Sequence, residues 1–367
     1  MKIVSVRAIP YAISYRRPLH FASGSIDVAD NVLVEVETED GVVGVAEAPP
    51  RPYTYGETQQ SIKAVIDRLF APAIDGLSVL DTEKARSRLA RTVGNPTAKA
   101  AIDMAMWDAR GRTFDTSVHN LLGGFVDSLR VSHMLGFAEP TAVVEEALQL
   151  REEMGITSFK VKVGRRPIRL DVEVCRALRD GLGDNTELYL DGNRGWSSSE
   201  AAEALRQLSD VGLSRVEELC PADDVLGRRW LVSRCPVPFV ADESAPTPAD
   251  VTREILAGAA TGVSIKTART GFSGSMQLSC LAEGLGVETV IGNQIDSQVG
   301  TACSLAFGAS RESTSRQAAE LSNYLDMSDD LLADPLTIVQ GQMQVRPGPG
   351  LGIEIDRKKL EYYRTDN

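Results

Sequence analysis

Phe159-Lys160-Val161-Lys162-Val163 sets two basic side chains between three apolar ones. A strand sends successive side chains to opposite faces, so both lysines point the same way. On an exposed edge strand such lysines would be solvated guards against aggregation. The flanking Phe159, Val161 and Val163 favour a buried strand instead, where two inward ammonium groups are costly without a purpose. Two lysines this close are expected to depress each other's pKa, which makes one a competent base near neutrality.

Outward from Lys162, charged residues recur at the period of a strand-plus-helix unit. Asp191 follows after 29 residues, Glu217 after a further 26, Asp242 after 25, Lys266 after 24, Asp296 after 30 and Glu320 after 24. Strands are expected at 131–135, 159–163, 187–191, 215–219, 239–242, 262–266, 288–292 and 319–322. Amphipathic helices are expected between them at 141–154, 170–183, 198–208, 247–257 and 271–284. Ser197 with Glu200 forms a capping box, and Thr247-Pro248 opens another helix. Repeated βα units imply parallel strands, and eight of them close a barrel whose chemistry lies at the C-terminal strand ends. The charged series falls at those ends. The fold class is therefore α/β, a (β/α) barrel over residues 126–325.

Residues 1–125 read differently, as an α+β capping unit. Lys2–Ile13 is a β-rich run ended by Ser14–Pro18, and 31–37 with 42–46 make a hairpin through Glu39-Asp40-Gly41. Helical patterns follow at 56–70, 81–91 and 96–111. After Tyr324 a single strand is expected at 336–345, then Pro347-Gly348-Pro349-Gly350, and residues 326–367 are expected to return to the capping unit.

With 367 residues the chain is long enough for one large barrel plus a smaller domain. The formal charge is −12, with no block of like charge, so nucleic acid and anionic membrane are not expected partners. No apolar run approaches a membrane span, and the first 19 residues lack a signal-peptide core. Five scattered cysteines without a CxxC suit small thiols in a reduced core. A cytoplasmic protein is expected.

Asp191, Glu217 and Asp242 end three consecutive strands, and such hard oxygen ligands suit Mg²⁺ or Mn²⁺. The bland alternative is a set of unrelated caps and surface acids. Glu217 and Glu218 point to opposite faces, and only one can ligate. Lys266 is either a proton shuttle or a Schiff-base nucleophile. His20, His119 and His133 are not spaced as zinc ligands; His133 reads more readily as a satisfied core or rim histidine. Gly123-Gly124 and Gly271-Phe272-Ser273-Gly274 are turns more often than phosphate cradles.

Lys160-x-Lys162, Asp191-x-Asn193, Glu217, Asp242-Glu243-Ser244 and Lys266, behind a small α+β unit, resemble the enolase superfamily and its muconate-lactonizing subgroup. The resemblance covers essentially the whole chain. One departure is Glu217-Glu218-Leu219, where many relatives carry Glu-Gln-Pro. The resemblance implies a divalent metal on Asp191, Glu217 and Asp242, an enolate stabilised by that metal and Lys160, and Lys162 and Lys266 facing the reacting carbon from opposite sides. It also implies a role for Glu320 near the enolate, and a homodimer or octamer. In this family two loops of the first unit choose the substrate, here Leu19–Ser25, with His20, and Pro49–Glu57, with Arg51, Tyr53 and Tyr55. Arg51 could clamp a second carboxylate. Asn193, Asp296, Ser322 and Asn323 complete the expected substrate contacts. The Asp-x-Asp that holds an α-ammonium in dipeptide epimerases is absent at Glu320-Leu321-Ser322-Asn323. A small dicarboxylate is thus the expected substrate, and cycloisomerisation of cis,cis-muconate the expected reaction. o-Succinylbenzoate synthesis and N-acylamino-acid racemisation are the alternatives within the superfamily. A Schiff-base aldolase and a non-catalytic metal-binding barrel are the alternatives outside it.

Overall fold

The computed structural model describes residues 1–22 and 24–366. Among them, the first unit pairs β1 (Ile3–Pro10), β4 (Val32–Thr38) and β5 (Val43–Ala48) as an antiparallel sheet in the order β1-β4-β5. β2 (Ile13–Phe21) and β3 (Gly24–Ala29) form a separate hairpin. Ser14–Pro18 therefore does not end the first β run. It lies inside β2, where the register shifts between Ser14 and Leu19 and accommodates a proline that cannot donate to a ladder.

Five helices follow: α1 (Gln59–Val65, continued by a π-turn), α2 (Ala71–Ile74), α3 (Thr82–Leu89), α4 (Pro96–Thr113) and α5 (Val118–Leu122). α4 lies so close on β5 that a Cβ at Gly44 would stand 2.1 Å from the Ala105 carbonyl oxygen. Buried Asp108 on α4 accepts from the Val45 and Leu351 amides, at 2.8 and 2.7 Å, and so joins helix, sheet and C-terminal tail.

From Ser128 strands and helices alternate. In order they are β6 (Ser128–Leu135), α6 (Pro140–Met154), β7 (Ser158–Lys162), α7 (Arg169–Leu182), β8 (Glu187–Asp191), α8 (Ser198–Gln207), β9 (Val216–Glu217), α9 (Val225–Val232), β10 (Phe239–Ala241) and α10 (Pro248–Leu256). β11 (Gly262–Ile265), α11 (Thr267–Leu285), β12 (Glu288–Ile291), α12 (Gln298–Ser310), α13 (Glu312–Ser315) and β13 (Ala319–Glu320) complete the series. β6 to β12 pair in parallel in sequence order, and β13 pairs parallel to β6. Asn293 Nδ2 donates to the Glu320 carbonyl at 3.1 Å and ties the end of β12 to β13. Both expected caps are present: Ser197 and Glu200 make the capping box of α8, and Thr247 caps α10. Gly271 interrupts α11 with φ +63°, and a Cβ there would meet Asp103.

The tail differs from expectation. Instead of one strand at 336–345 there is a hairpin of β14 (Ile338–Val339) and β15 (Gln342–Gln344), turning at Gln340-Gly341, both with positive φ. β15 adds antiparallel to the start of β6. The chain then runs back over the first unit. Arg357 pairs with buried Glu35, and α14 (Arg357–Tyr363) leads to a bridge between Arg364 and Tyr11. The Ala12 amide donates to the Tyr363 carbonyl at 3.0 Å, and the Thr365 amide to that of Pro10 at 3.1 Å. All five cysteines are free; Cys175, Cys220 and Cys303 are buried, whereas Cys280 is exposed and not a core thiol. Among the described residues no helix is long and apolar enough to cross a membrane.

Candidate active site

Lys162, Asp191, Glu217 and Glu320 are the last residues of β7, β8, β9 and β13, and Asp242 and Lys266 directly follow β10 and β11. Parallel register sets Lys160 beside Tyr189, Lys162 beside Asp191, and Asp191 beside Glu217. The alternation therefore delivers both lysines to the barrel interior. Lys160 Nζ stands 3.0 Å from Asp191 Oδ2, 3.0 Å from Glu217 Oε2 and 2.6 Å from Glu320 Oε1. Lys162 Nζ donates to the same Asp191 oxygen at 2.7 Å and to Asn193 Oδ1 at 2.6 Å. Across the mouth, Lys266 Nζ donates to Asp242 Oδ2 at 2.5 Å and lies 3.9 Å from Glu217 Oε1. A Cβ at Gly292 would stand 2.7 Å from Lys266 Cε, so the bare glycine leaves room for that side chain.

The expected depression of the lysine pair is not what the surroundings of Lys160 produce. Burial works to lower it, but Asp191, Glu217 and Glu320 outweigh burial and hold it well above an ordinary lysine. Lys266 is likewise raised, burial being overcome by Asp242 and Glu217. Reciprocally, Lys160, Lys162 and Lys266 overcome the burial of Asp191 and hold it well below the carboxylate range. Glu217 goes the other way. Burial pushes it up to about 8, Lys160 opposes this, and Asp191, Glu320 and Asp242 add to it.

Glu217 and Glu218 turn to opposite sides, as the strand alternation requires. Glu217 faces Lys160, whereas Glu218 turns away with φ +38°, ending β9 early. Its Oε2 accepts from the Asp242 amide at 2.8 Å, the Ser244 amide at 3.0 Å and Ser244 Oγ at 2.8 Å. It thus holds the turn that presents Asp242.

The mouth is lined by Phe21, Arg51, Thr54, Tyr55, Met134, Lys160, Lys162, Asp191, Asn193, Asp242, Glu243, Lys266, Asn293, Gln294, Ile295, Glu320 and Asn323. Arg51 donates to the Pro50 carbonyl at 2.6 Å and keeps a buried Nη2 without a partner. Four expected substrate contacts lie elsewhere. At the hairpin tip strand alternation turns Phe21 to the mouth and leaves His20 exposed; Ser23 of this loop lies outside the described residues. Tyr53 is 63% exposed and faces the neighbouring crevice between β3 and the Pro50–Thr54 turn. Ser322 bonds His133 Nδ1 at 3.0 Å and the Ser132 carbonyl at 3.1 Å, which makes His133 a satisfied core histidine. Asp296 lies five residues beyond β12 and is buried near Glu47, with Oδ1 unpartnered; burial, then Glu47, pushes it up to about 7. Asn293 and Gln294 take the mouth position at this strand end. Reading from spacing also missed Arg269, whose Nη1 donates to Asp242 Oδ1 at 2.7 Å, and Tyr189, whose hydroxyl donates to Glu320 at 3.2 Å. Arg269 is three residues past Lys266, in the first turn of α11, a position the strand-end count does not sample. A larger, mostly apolar cavity of about 510 Å³ lies between α3, α4, α10 and α11, but none of the paired lysines and carboxylates lines it.

Among the described residues no three His, Cys, Asp or Glu side chains converge as a ready metal cage. Lys160 and Lys266 stand between the carboxylates. The donor set nonetheless fits a hard divalent cation. Asp191, Glu217 and Asp242 are carboxyl oxygen donors on adjacent strands, and both Glu217 oxygens are buried without a well-formed hydrogen bond.

Residues 3–123 match the N-terminal domain family of mandelate racemase and muconate lactonizing enzyme, and residues 142–359 match the enolase C-terminal domain-like family. The chain belongs to this family, within the enolase superfamily. It is similar to the muconate lactonizing enzyme from Mucobacterium Smegmatis solved with muconolactone: 63% identity, TM-score 0.99, with 100% of each chain covered. It is also 32% identical to muconate cycloisomerase 1 of Rhodococcus opacus, covering 97% of this chain and 96% of that one. The L-Ala-D/L-Glu epimerase of Bacillus subtilis is 28% identical, over 96% and 97%. Muconate cycloisomerases of the superfamily depend on a divalent metal.

Proposed function

We propose that this chain is a muconate cycloisomerase, interconverting cis,cis-muconate and muconolactone. The observation that carries the reading is the 63% identity, end to end, with the muconate lactonizing enzyme solved with its lactone. Asp191, Glu217 and Asp242 would hold Mg²⁺ or Mn²⁺, which supplies positive charge opposite a substrate carboxylate. Arg51, with its unpartnered Nη2, would bind the other carboxylate. Phe21, Met134 and Ile295 give the diene an apolar wall that excludes water.

One carboxylate oxygen adds to the carbon β to the second carboxylate, and the electron pair moves to the α-carbon. Lys160, held charged by its three carboxylates, stabilises the enolate that results. Lys162 or Lys266 then gives that carbon its proton from one face. Glu320, bound to Lys160 and to the Asn293 amide, orients the ammonium.

The test is turnover of cis,cis-muconate in heavy water with Mn²⁺, with L-Ala-D-Glu and N-succinyl-lysine as control substrates. Deuterium is expected on one face only of the new methylene. Lys162→Met and Lys266→Met should each lower kcat by at least ~10²-fold, with the label abolished in just one of them. Label on both faces would mean protonation by bulk water and would end the positioned-lysine mechanism. Turnover of a control substrate in place of muconate would end the substrate assignment.

A further inference from the structure

Arg269 is 5% exposed and serves two sides of the molecule at once. Its Nη1 donates to Asp242 Oδ1 at 2.7 Å and to Tyr55 Oη at 3.3 Å, and its Nη2 donates to the Ser264 carbonyl at 2.8 Å. Gln294 Nε2 donates to the same Tyr55 oxygen at 2.5 Å. Tyr55 belongs to the loop between β5 and α1 and lines the mouth, whereas Asp242 ends a barrel strand. One guanidinium therefore joins the loop above the mouth to a carboxylate at its floor.

The arrangement has a direction. With Tyr55 docked, the guanidinium is fixed on Oδ1, which leaves Oδ2, the atom shared with Lys266, toward the centre of the site. Nη1 also donates to the Asp242 carbonyl at 3.2 Å, so if the loop lifts its remaining acceptors all belong to Asp242, and Nε has no partner already. Without Tyr55 to fix it from the loop side, the guanidinium is free to shift between the Asp242 carboxylate and carbonyl, and the orientation of Oδ2 is no longer set. We propose that Arg269 is a positioning residue that couples docking of the Tyr55 loop to cation binding at Asp242. Each event favours the other by the same factor, since linkage between two binding equilibria is reciprocal. The inference rests on Asp242 being a metal ligand.

The experiment uses the full chain and Mn²⁺ alone, without substrate. Mn²⁺ affinity is read by electron paramagnetic resonance titration, and loop docking by hydrogen exchange at the Thr54 and Tyr55 amides, both bonded to the Arg51 carbonyl. In the wild type, Mn²⁺ should slow exchange at these two amides. Tyr55→Phe, which removes one oxygen from a half-buried ring, should weaken Mn²⁺ binding at least about fivefold, the lower end for coupled sites, and abolish the Mn²⁺-dependent protection. Arg269→Lys keeps the charge but cannot hold both partners, and should do the same. If Arg269→Lys does not fold, Tyr55→Phe decides alone. Wild-type affinity in Tyr55→Phe, or loop exchange indifferent to Mn²⁺, would overturn the coupling. A wild-type chain that binds no Mn²⁺ would instead overturn the ligand assignment beneath it.

Discussion

Glu217→Gln and Glu218→Gln remove the same charge from adjacent residues and should have opposite consequences. Glu218 Oε2 accepts three hydrogen bonds, and Arg228 Nη1 lies 3.9 Å from Oε1. Bonds to a charged group contribute about 1.5–3 kcal/mol and neutral ones about 0.5–1.5, so three demoted bonds cost about 3 kcal/mol. Burial holds Glu218 above the usual carboxylate range despite those bonds, which takes back part of that loss. The expected loss of stability is about 1–2 kcal/mol. Glu217 has no well-formed hydrogen bond to lose; Lys160, 3.0 Å away, favours its charge, but burial and three neighbouring acids outweigh that and hold it above the usual carboxylate range. Glu217→Gln should leave the metal-free protein within about 1 kcal/mol of wild type, or more stable. Metal affinity should order the other way. A group that only orients a ligand is worth about 10–100-fold, so losing Glu217 itself should cost more than about 100-fold and losing Glu218 less. Urea unfolding in EDTA and Mn²⁺ titration give the two numbers for each variant. Glu218→Gln being the worse metal binder, or Glu217→Gln the less stable protein, would refute the assignment of which carboxylate faces the metal.

Arg51→Ala should raise KM for muconate without lowering kcat, because the carboxylate it would bind is fully charged before attack and loses charge as the lactone closes; steady-state kinetics with unchanged KM would return Arg51 to a structural role. Asp296→Asn should stabilise the protein at high pH. In the fold Asp296 keeps its proton to about pH 7, whereas in the unfolded chain it loses it near 4, so the native state binds more protons in that window and wild-type stability falls as pH rises through it. The variant should gain about 2–4 kcal/mol on wild type at pH 8 and nothing near pH 4, by denaturant unfolding at both; an equal difference at the two pH values would refute it.

The barrel was legible because its strands carry one polar residue each at a fixed place. The counted series falls at the strand end for Lys162, Asp191, Glu217 and Glu320, and one residue beyond it for Asp242 and Lys266. It failed at Asp296 because an interval of about one repeat was taken as position, while the strand ends at Ile291 and Asn293 faces the mouth. α12 was invisible to periodicity, since all of its residues are buried and no polar face marks the helix. The β2–β3 hairpin was missed for the opposite reason: much of it is exposed and Pro18 interrupts it, so neither alternation nor a clean turn appears. Arg269 acts through another residue, and such a role leaves no spacing in a chain read one strand at a time.

The bridge between Tyr11 and Arg364 has a consequence for how the protein is made. The first unit is synthesised early, yet the Pro10–Ala12 link between β1 and β2 meets its partners only when Tyr363, Arg364 and Thr365 have been added. The barrel is synthesised in between. The unit carrying the loops over the mouth is thus begun before the barrel and completed after it, and a nascent chain holds the barrel with an unfastened cap. Cleavage before Tyr363 would be felt far away in sequence, at the Pro10–Ala12 link, from which β2 leads to Phe21 at the mouth.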